Sequence, residues 1–415
     1  MSLLYSNPEK WYATYEPASK KQRYEMLLET LEQSLSDDFI QEIELGMSLL
    51  ETMDDLLNNN LIQELLDLIH KIQTKQPGFY DEEFFYYDRF LINYALFCNE
   101  PHKAEAALAS FIKNPIDSID YMLPLSGQLR YYGATDLAVT LARKTYKKVK
   151  TSSELLGGSE YELVNTLFLT LVSDVYAQLK KGEQVDWDSF LATAKKYDFT
   201  GGQRMIDEIR HYLTAGMDCD DQFVSAFKKK KTRTDLIMAL SWEFGRYMLD
   251  EKQMAFMCSE SIWAMMLSFW EEGKGSRKGL TKPDSYFNFS QKNLEQYLID
   301  MLGGFLSTQQ NTAVAMLWGI PYIYDFLLAK TMIPESVHQD ACDHVAALKP
   351  DVINGFGNSL WKYDFVHRWT RPDSISEEEF QAEADLFRAS IKDVRPLTEK
   401  PYNQMDRLRE MFGDM

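Results

Sequence analysis

Four acid–histidine pairs, each with the acid three positions before the histidine, are the first residues in this chain that could do chemistry: Asp67/His70, Glu208/His211, Glu335/His338 and Asp364/His367. On a helix this spacing places both side chains on one face. A carboxylate-bridged two-metal centre uses two Glu-x-x-His pairs on helices of one bundle, with two more inward carboxylates. Two such pairs are present, but several helical segments lie between them. Glu335 also follows Pro334, a residue suited to a helix start rather than a bundle interior. Surface ion pairs one turn apart account for the spacing equally well, so no metal site is expected.

A second candidate is rich in aspartate. Asp54-Asp55-Leu56-Leu57-Asn58 resembles the stretch with which terpene synthases hold magnesium and diphosphate, and Asp218-Cys219-Asp220-Asp221 is a looser version. That resemblance implies a partner stretch of Asn/Asp, Ser/Thr and Glu at four-residue steps. Asp235, Ala239 and Glu243 keep the spacing and lack the hydroxyl. Gly273, Gly275 and Gly279, interleaved with Lys274, Arg277 and Lys278, could meet an anion, but the P-loop order is absent and no strand precedes them. There is no Gly-x-Ser-x-Gly elbow. No catalytic residue and no cofactor is expected from these residues. An α-helical enzyme with its site in the Met- and aromatic-rich second half, with the Gly273–Gly279 loop as a lid, is the rival reading.

Charge narrows the partners. The 415-residue chain has a net charge of −19, which argues against broad contact with phosphate backbones. Residues 1–100 hold 19 acids and 7 bases, whereas residues 101–150 hold 8 bases and 4 acids. Arg143, Lys144, Lys147, Lys148 and Lys150 are therefore a local exception, and cations near a helix C-terminus complement its dipole. Four scattered cysteines without CxxC pairs fit reduced thiols. No uninterrupted apolar run reaches the roughly 18–20 residues of a membrane helix, and the N-terminus has no basic n-region. The expectation is a cytoplasmic protein with no membrane contact and no nucleic-acid partner.

The elements that must position these residues read as helices throughout, about 60–70% of the chain with at most one short hairpin. A first helix is expected over Pro17–Leu35. Ser36 caps a second that runs to Leu57, and Leu61–Ile72 follows, ended by Pro77-Gly78. Beyond a Ser/Gly seam at Thr151–Ser159, helices are expected over Glu160–Leu179, Asp186–Tyr197, Gly202–Leu213 and Asp220–Lys230, the last closed by Lys228–Lys231. The Met- and aromatic-rich Arg233–Trp270 reads as core. Glu271–Ser290 is expected as a protease-sensitive surface loop. Helices resume at Asn293–Leu306, Ala313–Lys330, Pro334–Leu348, Pro350–Trp369, Ser374–Ile391 and Tyr402–Phe412.

Only one part of the chain repeats visibly. Leu91 to Cys98, the break Asn99-Glu100-Pro101 and Ala104 to Leu108 return at one constant offset as Leu125, Tyr131, Gly133-Ala134, Ala138 and Ala142. A helix, a short turn and a second helix with small residues at the crossing form a unit that must stack on neighbours to bury its apolar faces. Residues 87–150 thus resemble two tetratricopeptide units, whose period is about 34 residues. The family's Gly falls on Ile92 and Ser126, its closing aromatic is kept by Phe111 and lost at Thr145, and its early Trp is absent. The resemblance implies an all-α, solenoid-like repeat region over 1–150, followed by an irregular helical region over 160–415. It also implies a scaffold or adaptor that binds a protein or peptide, with a peptide-sensing regulator as a variant. Its concave face would present Tyr86, Arg89 and Asn93 from one unit and Arg130 from the next, a guanidinium pair able to grip an acidic peptide.

Overall fold

The computed structural model describes residues 7–199, 202–272, 281–303 and 309–401. Among these, 76% are helical and none forms a strand. The chain divides into two compact units, Met1–Leu91 with Phe356–Trp361 and Leu386–Met415, and Ile92–Gly355 with Lys362–Asp385.

The first unit begins with α1 (Pro8–Tyr15), α2 (Lys20–Leu31), α3 (Asp37–Glu42), α4 (Leu45–Asn58) and α5 (Ile62–Lys75), and the division falls within α6 (Pro77–Phe97). The helix expected over Pro17–Leu35 is shorter because Ser19 starts it. The Ser19 hydroxyl and the Gln22 side chain satisfy each other's backbone amides in a capping box. Ser36 caps as expected by accepting from the Phe39 amide. Glu44, in the left-handed region at φ 46°, then splits the following helix in two. Pro77 opens α6 as well as ending what precedes it.

The core of this unit forms where α2 meets α4 and α5, with Leu27, Leu31, Leu49, Leu65 and Leu68 all buried. Trp11 is wholly buried, so its indole needs a partner, and it donates to Thr30 Oγ1 at 2.9 Å. Distant sequence is tied in by polar bonds. Asn60 Nδ2 donates to Ser390 O at 2.7 Å, and the Arg395 amide donates to Asn59 O at 2.9 Å.

The second unit holds α7 (Pro101–Lys113), α8 (Ile119–Tyr131), α9 (Thr135–Thr151), α10 (Tyr161–Lys180), α11 (Trp187–Lys196), α12 (Gly202–Thr214) and α13 (Asp221–Phe227). It continues through α14 (Lys230–Glu251), α15 (Phe256–Glu272), α16 (Pro283–Phe287), α17 (Gln291–Leu302), α18 (Gln310–Ala329) and α19 (Glu335–Phe356). The division falls again within a 3-10 stretch (Gly357–His367) and within α20 (Glu377–Ser390), whose residues are shared between the two units. At its centre is α18, buried without a gap from Ala313 to Leu327. This helix is long and apolar enough to cross a membrane, yet 83% of its apolar window is buried inside the fold. It packs on α8, α14, α15 and α17, which explains why it is apolar all round. Gly319 allows the closest approach, since a Cβ there would lie 2.4 Å from Ile262 Cγ2.

Several expected boundaries differ. The lysine run at 228–231 lies where α14 begins, so it does not simply close a helix. Pro350 sits inside the single helix Glu335–Phe356, and regular α-helix gives way to 3-10 only at Gly357, whose φ is +47°. Of the loop expected at Glu271–Ser290, residues 273–280 lie outside the described residues. Within the remainder, Tyr286, Phe287 and Phe289 are buried, and Phe287 meets Trp270 edge-to-face at 4.9 Å, while Lys282 and Asn288 are exposed. Aromatic burial outweighs the polar composition of that stretch. The helix expected at Tyr402–Phe412 also lies outside the described residues, as do residues 304–308.

Candidate functional site

The repeat interval is visible in the backbone. Asn99 and Gly133 both take the left-handed conformation, at φ 58° and 68°. The Asn99 and Gly133 amides donate to Leu96 O and Arg130 O, both at 3.0 Å. Those of Glu100 and Ala134 reach back to Ala95 O at 2.8 Å and Leu129 O at 2.9 Å. This double closure satisfies carbonyls that the helix end would leave open. The same closure recurs at Asn60, Gly182, Asp198 and Thr331, so the turn alone is a general helix stop in this chain. What distinguishes the pair is that Ala104 and Ala138, set apart by the same interval as the two turns, are both fully buried.

The two turns share one cleft of about 720 Å³, which also receives Arg368. Leu96, Tyr132 and Leu137 supply apolar lining, while Glu105 and Asp136 are exposed lining residues. The cleft thus joins the ends of α6 and α8 to the starts of α7 and α9. Neither Glu100 nor Ala134 caps its helix with a side chain. Arg368 is fixed from two sides: Nη2 donates to Phe97 O at 2.7 Å, and Nε pairs with the fully buried Asp364 at 2.8 Å. Its charge is thereby largely spent within the fold. No local sequence signal points to Arg368, which enters from far down the chain, well beyond both turns.

The residues expected to line a concave groove have other surroundings. Arg130 is only 6% exposed and pairs with Glu162 at 2.5 Å. Beyond it, Glu260 is desolvated, and burial pushes its carboxyl up against the pull of Arg130. Arg130 is therefore a tie between helices and not a groove cation. α10, α15 and α18 all pack on α8, and the Arg130 side chain is buried among helices of its own chain. Asn93 is half-buried in the second unit, while Tyr86 and Arg89, also half-buried, belong to the first.

The acid–histidine pairs also separate. His338 turns from Glu335 to Asp325, with Nε2 2.8 Å from Oδ1, and the same nitrogen is 3.9 Å from Cys342 Sγ. A thiol–imidazole–carboxylate relay needs the thiol and the carboxylate on opposite ring nitrogens. Burial also pushes the Cys342 thiol up to about 11, the reverse of an activated nucleophile. The second oxygen of Asp325 accepts from the amides of Asp373 and Ser374 at 2.7 and 3.2 Å.

His367 likewise bonds to Glu383, at 2.9 Å, while Asp364 serves Arg368. Glu383 also accepts from Trp318 Nε1 at 2.6 Å and from Lys349 Nζ at 3.1 Å. Burial alone would raise this carboxyl, but the bonds from His367, Lys349 and Trp318 bring it down to about 2. Glu208 pairs with Arg204 and Asp67 accepts from Gln63, both ordinary one-turn contacts. Among the described residues, no group of three His, Cys, Asp or Glu could hold a metal ion.

The aspartate-rich stretches have plain structural uses. Asp55 pairs with Lys20 at 2.7 Å, and Asp220 caps α13 by accepting from the Phe223 amide at 2.8 Å. Glu243 accepts from the Met217 amide and pairs with Lys330. The carboxylates Asp220, Glu243, Asp325, Asp364 and Glu383 thus each serve a bond within the fold. No family model, no curated protein and no solved structure matches the chain.

Proposed function

We propose that this chain is a protein- or peptide-binding scaffold built on tetratricopeptide-like helical hairpins, with its partner docking at the cleft between the two related turns. The observation that supports this reading is the convergence of Asn99–Pro101 and Gly133–Thr135, turns at equivalent places in the repeat, on one open cleft of about 720 Å³. Such a cleft offers apolar floor, polar rim and backbone amides together, the mixture a peptide segment needs. The concave face is the weaker candidate because Arg130 is committed to Glu162.

The test pans a displayed peptide library against the whole chain and then measures selected binders on two variants. His102→Trp and Thr135→Trp place bulk at the two rims without touching a buried position. Loss of binding by about tenfold or more, which corresponds to about 1.4 kcal/mol, at unchanged melting temperature supports docking here. Undiminished affinity in both variants moves the binding surface elsewhere. Arg130→Ala is not an informative variant, because it would remove the partner of Glu162 and the charge that opposes desolvation of Glu260.

A further inference from the structure

The C-terminal half of α9 presents Arg143, Lys144, Lys147, Lys148 and Lys150, all exposed, in a chain whose net charge is −19. Two of these cations are committed. Lys148 Nζ lies 3.5 and 3.4 Å from Ile112 O and Lys113 O, where it complements the end of α7, and Lys150 pairs with Asp198. Dipole complementation does not account for Arg143 and Lys144, which lie about two turns before the helix ends. A second helix enlarges the surface. Tyr146 Oη donates to Lys196 O at 3.2 Å, and its ring meets Tyr197 edge-to-face at 5.3 Å. The end of α11 therefore brings Lys195 and Lys196, both exposed, alongside α9. The facing acids are few: Asp198 is taken up by Lys150, and Asp174 lies beside Arg143 and is partly desolvated, which raises its carboxyl.

We propose that this stripe is an interaction surface for an extended, acidic protein segment, independent of the cleft at the turns. The spacing of the cations favours that occupant. Arg143 and Lys147 lie one helical turn apart on one face, about 6 Å along the axis. An extended chain places alternate side chains about 6.6 Å apart, so acids at every second position meet the stripe nearly in register. Lys144 on one flank and Lys195 and Lys196 on the adjoining helix broaden the positive field that steers such a segment. Single-stranded nucleic acid fits less well, because the Tyr146 and Tyr197 rings are turned on each other and give no stacking platform.

The experiment measures anisotropy of a fluorescein-labelled peptide of about twelve residues, alternating Glu and Ser, with the full chain at about 50 mM salt. The variant carries Arg143→Glu, Lys144→Glu and Lys147→Glu. A control carries Lys10→Glu and Lys392→Glu, exposed positions of the first unit. Binding of the peptide, weakened by about tenfold or more in the triple variant and unchanged in the control, supports the proposal, a scale that several exposed ion pairs reach together. If the charge-reversed protein does not melt cooperatively, the same positions changed to Gln replace it. The proposal is overturned if the peptide does not bind, if the triple variant retains full affinity, if the control loses as much, or if an oligothymidylate of equal length binds more tightly.

Discussion

Helices α7 to α9 and helices α14 to α18 share one compact unit and bury apolar surface in opposite ways. In the first group, sequence neighbours pack on each other: α8 lies on α9, α7 on α9, and α9 on α10. Small residues at a fixed interval, Ala104 and Ala138, set the approach, and α9 keeps a charged face in solvent. In the second group, α18 is buried on every side, and glycine rather than alanine admits the neighbour at Gly319 and Gly245. Buried ions accompany this interior, each matched by a partner far away in sequence. Repetition of a local unit tolerates exposure, whereas a central helix depends on distant elements to fill the space around it and to supply partners for its buried charges.

Breaking the central arrangement should cost most. Glu383→Ala leaves the half-buried Lys349 and the buried His367 without their carboxylate, and we expect a loss of about 3–5 kcal/mol in urea denaturation. A loss below about 1 kcal/mol would mean that the cluster does not hold the second unit together.

The same group sets a pH dependence. Its folded pKa of about 2 lies below the ordinary value of 4.5, so its contribution is present above about pH 4.5 and lost as pH falls through the folded value. Glu383→Gln should flatten the urea midpoint between pH 4.5 and 2 relative to the parent. An equally steep decline in both proteins would place the acid sensitivity in other carboxylates.

Next come the glycines. A Cβ at Gly319 would sit 2.4 Å from Ile262 Cγ2. Overpacking should therefore cost about 1–3 kcal/mol and exceed the gain of about 1 kcal/mol in helix propensity. Gly127 in α8 is the counterpart, where the nearest atoms to a Cβ are at 3.8 and 3.9 Å. Gly127→Ala should be neutral or stabilising by up to about 1 kcal/mol, and in thermal melts only Gly319→Ala should lower the midpoint. Parallel shifts would erase the contrast between the two packing modes.

The smallest effect is expected at the turns. Gly133→Ala forces a side chain into φ 68° and should cost about 1 kcal/mol, whereas Asn99→Gly should change stability by a few tenths only, since Asn already tolerates that region. Thermal melts of the two variants check this, and an equal loss in both would mean that more than backbone conformation fixes the turns.

The sequence alone determined that the chain is helical, because the 3.6-residue periodicity of apolar positions is a local property of each segment. It also determined the repeat interval and the stops at Asn99 and Gly133, since left-handed closure depends on residues within one turn. The cap at Ser36 was legible for the same reason. What only the tertiary structure decided is which side of those helices stays open. Arg130 has the type and register of a groove cation. Nothing near it in sequence reveals that Glu162 would neutralise it or that α15 and α18 would cover α8. Arg368 reached the cleft, and Glu383 gathered His367, Lys349 and Trp318, through pairings over 16 to 271 residues. Such contacts are selected by the packing of whole helices, and the free energy of a charge depends on the partners that packing supplies. Local pattern therefore specified the elements, and the global fit of their faces specified which charges were left to act.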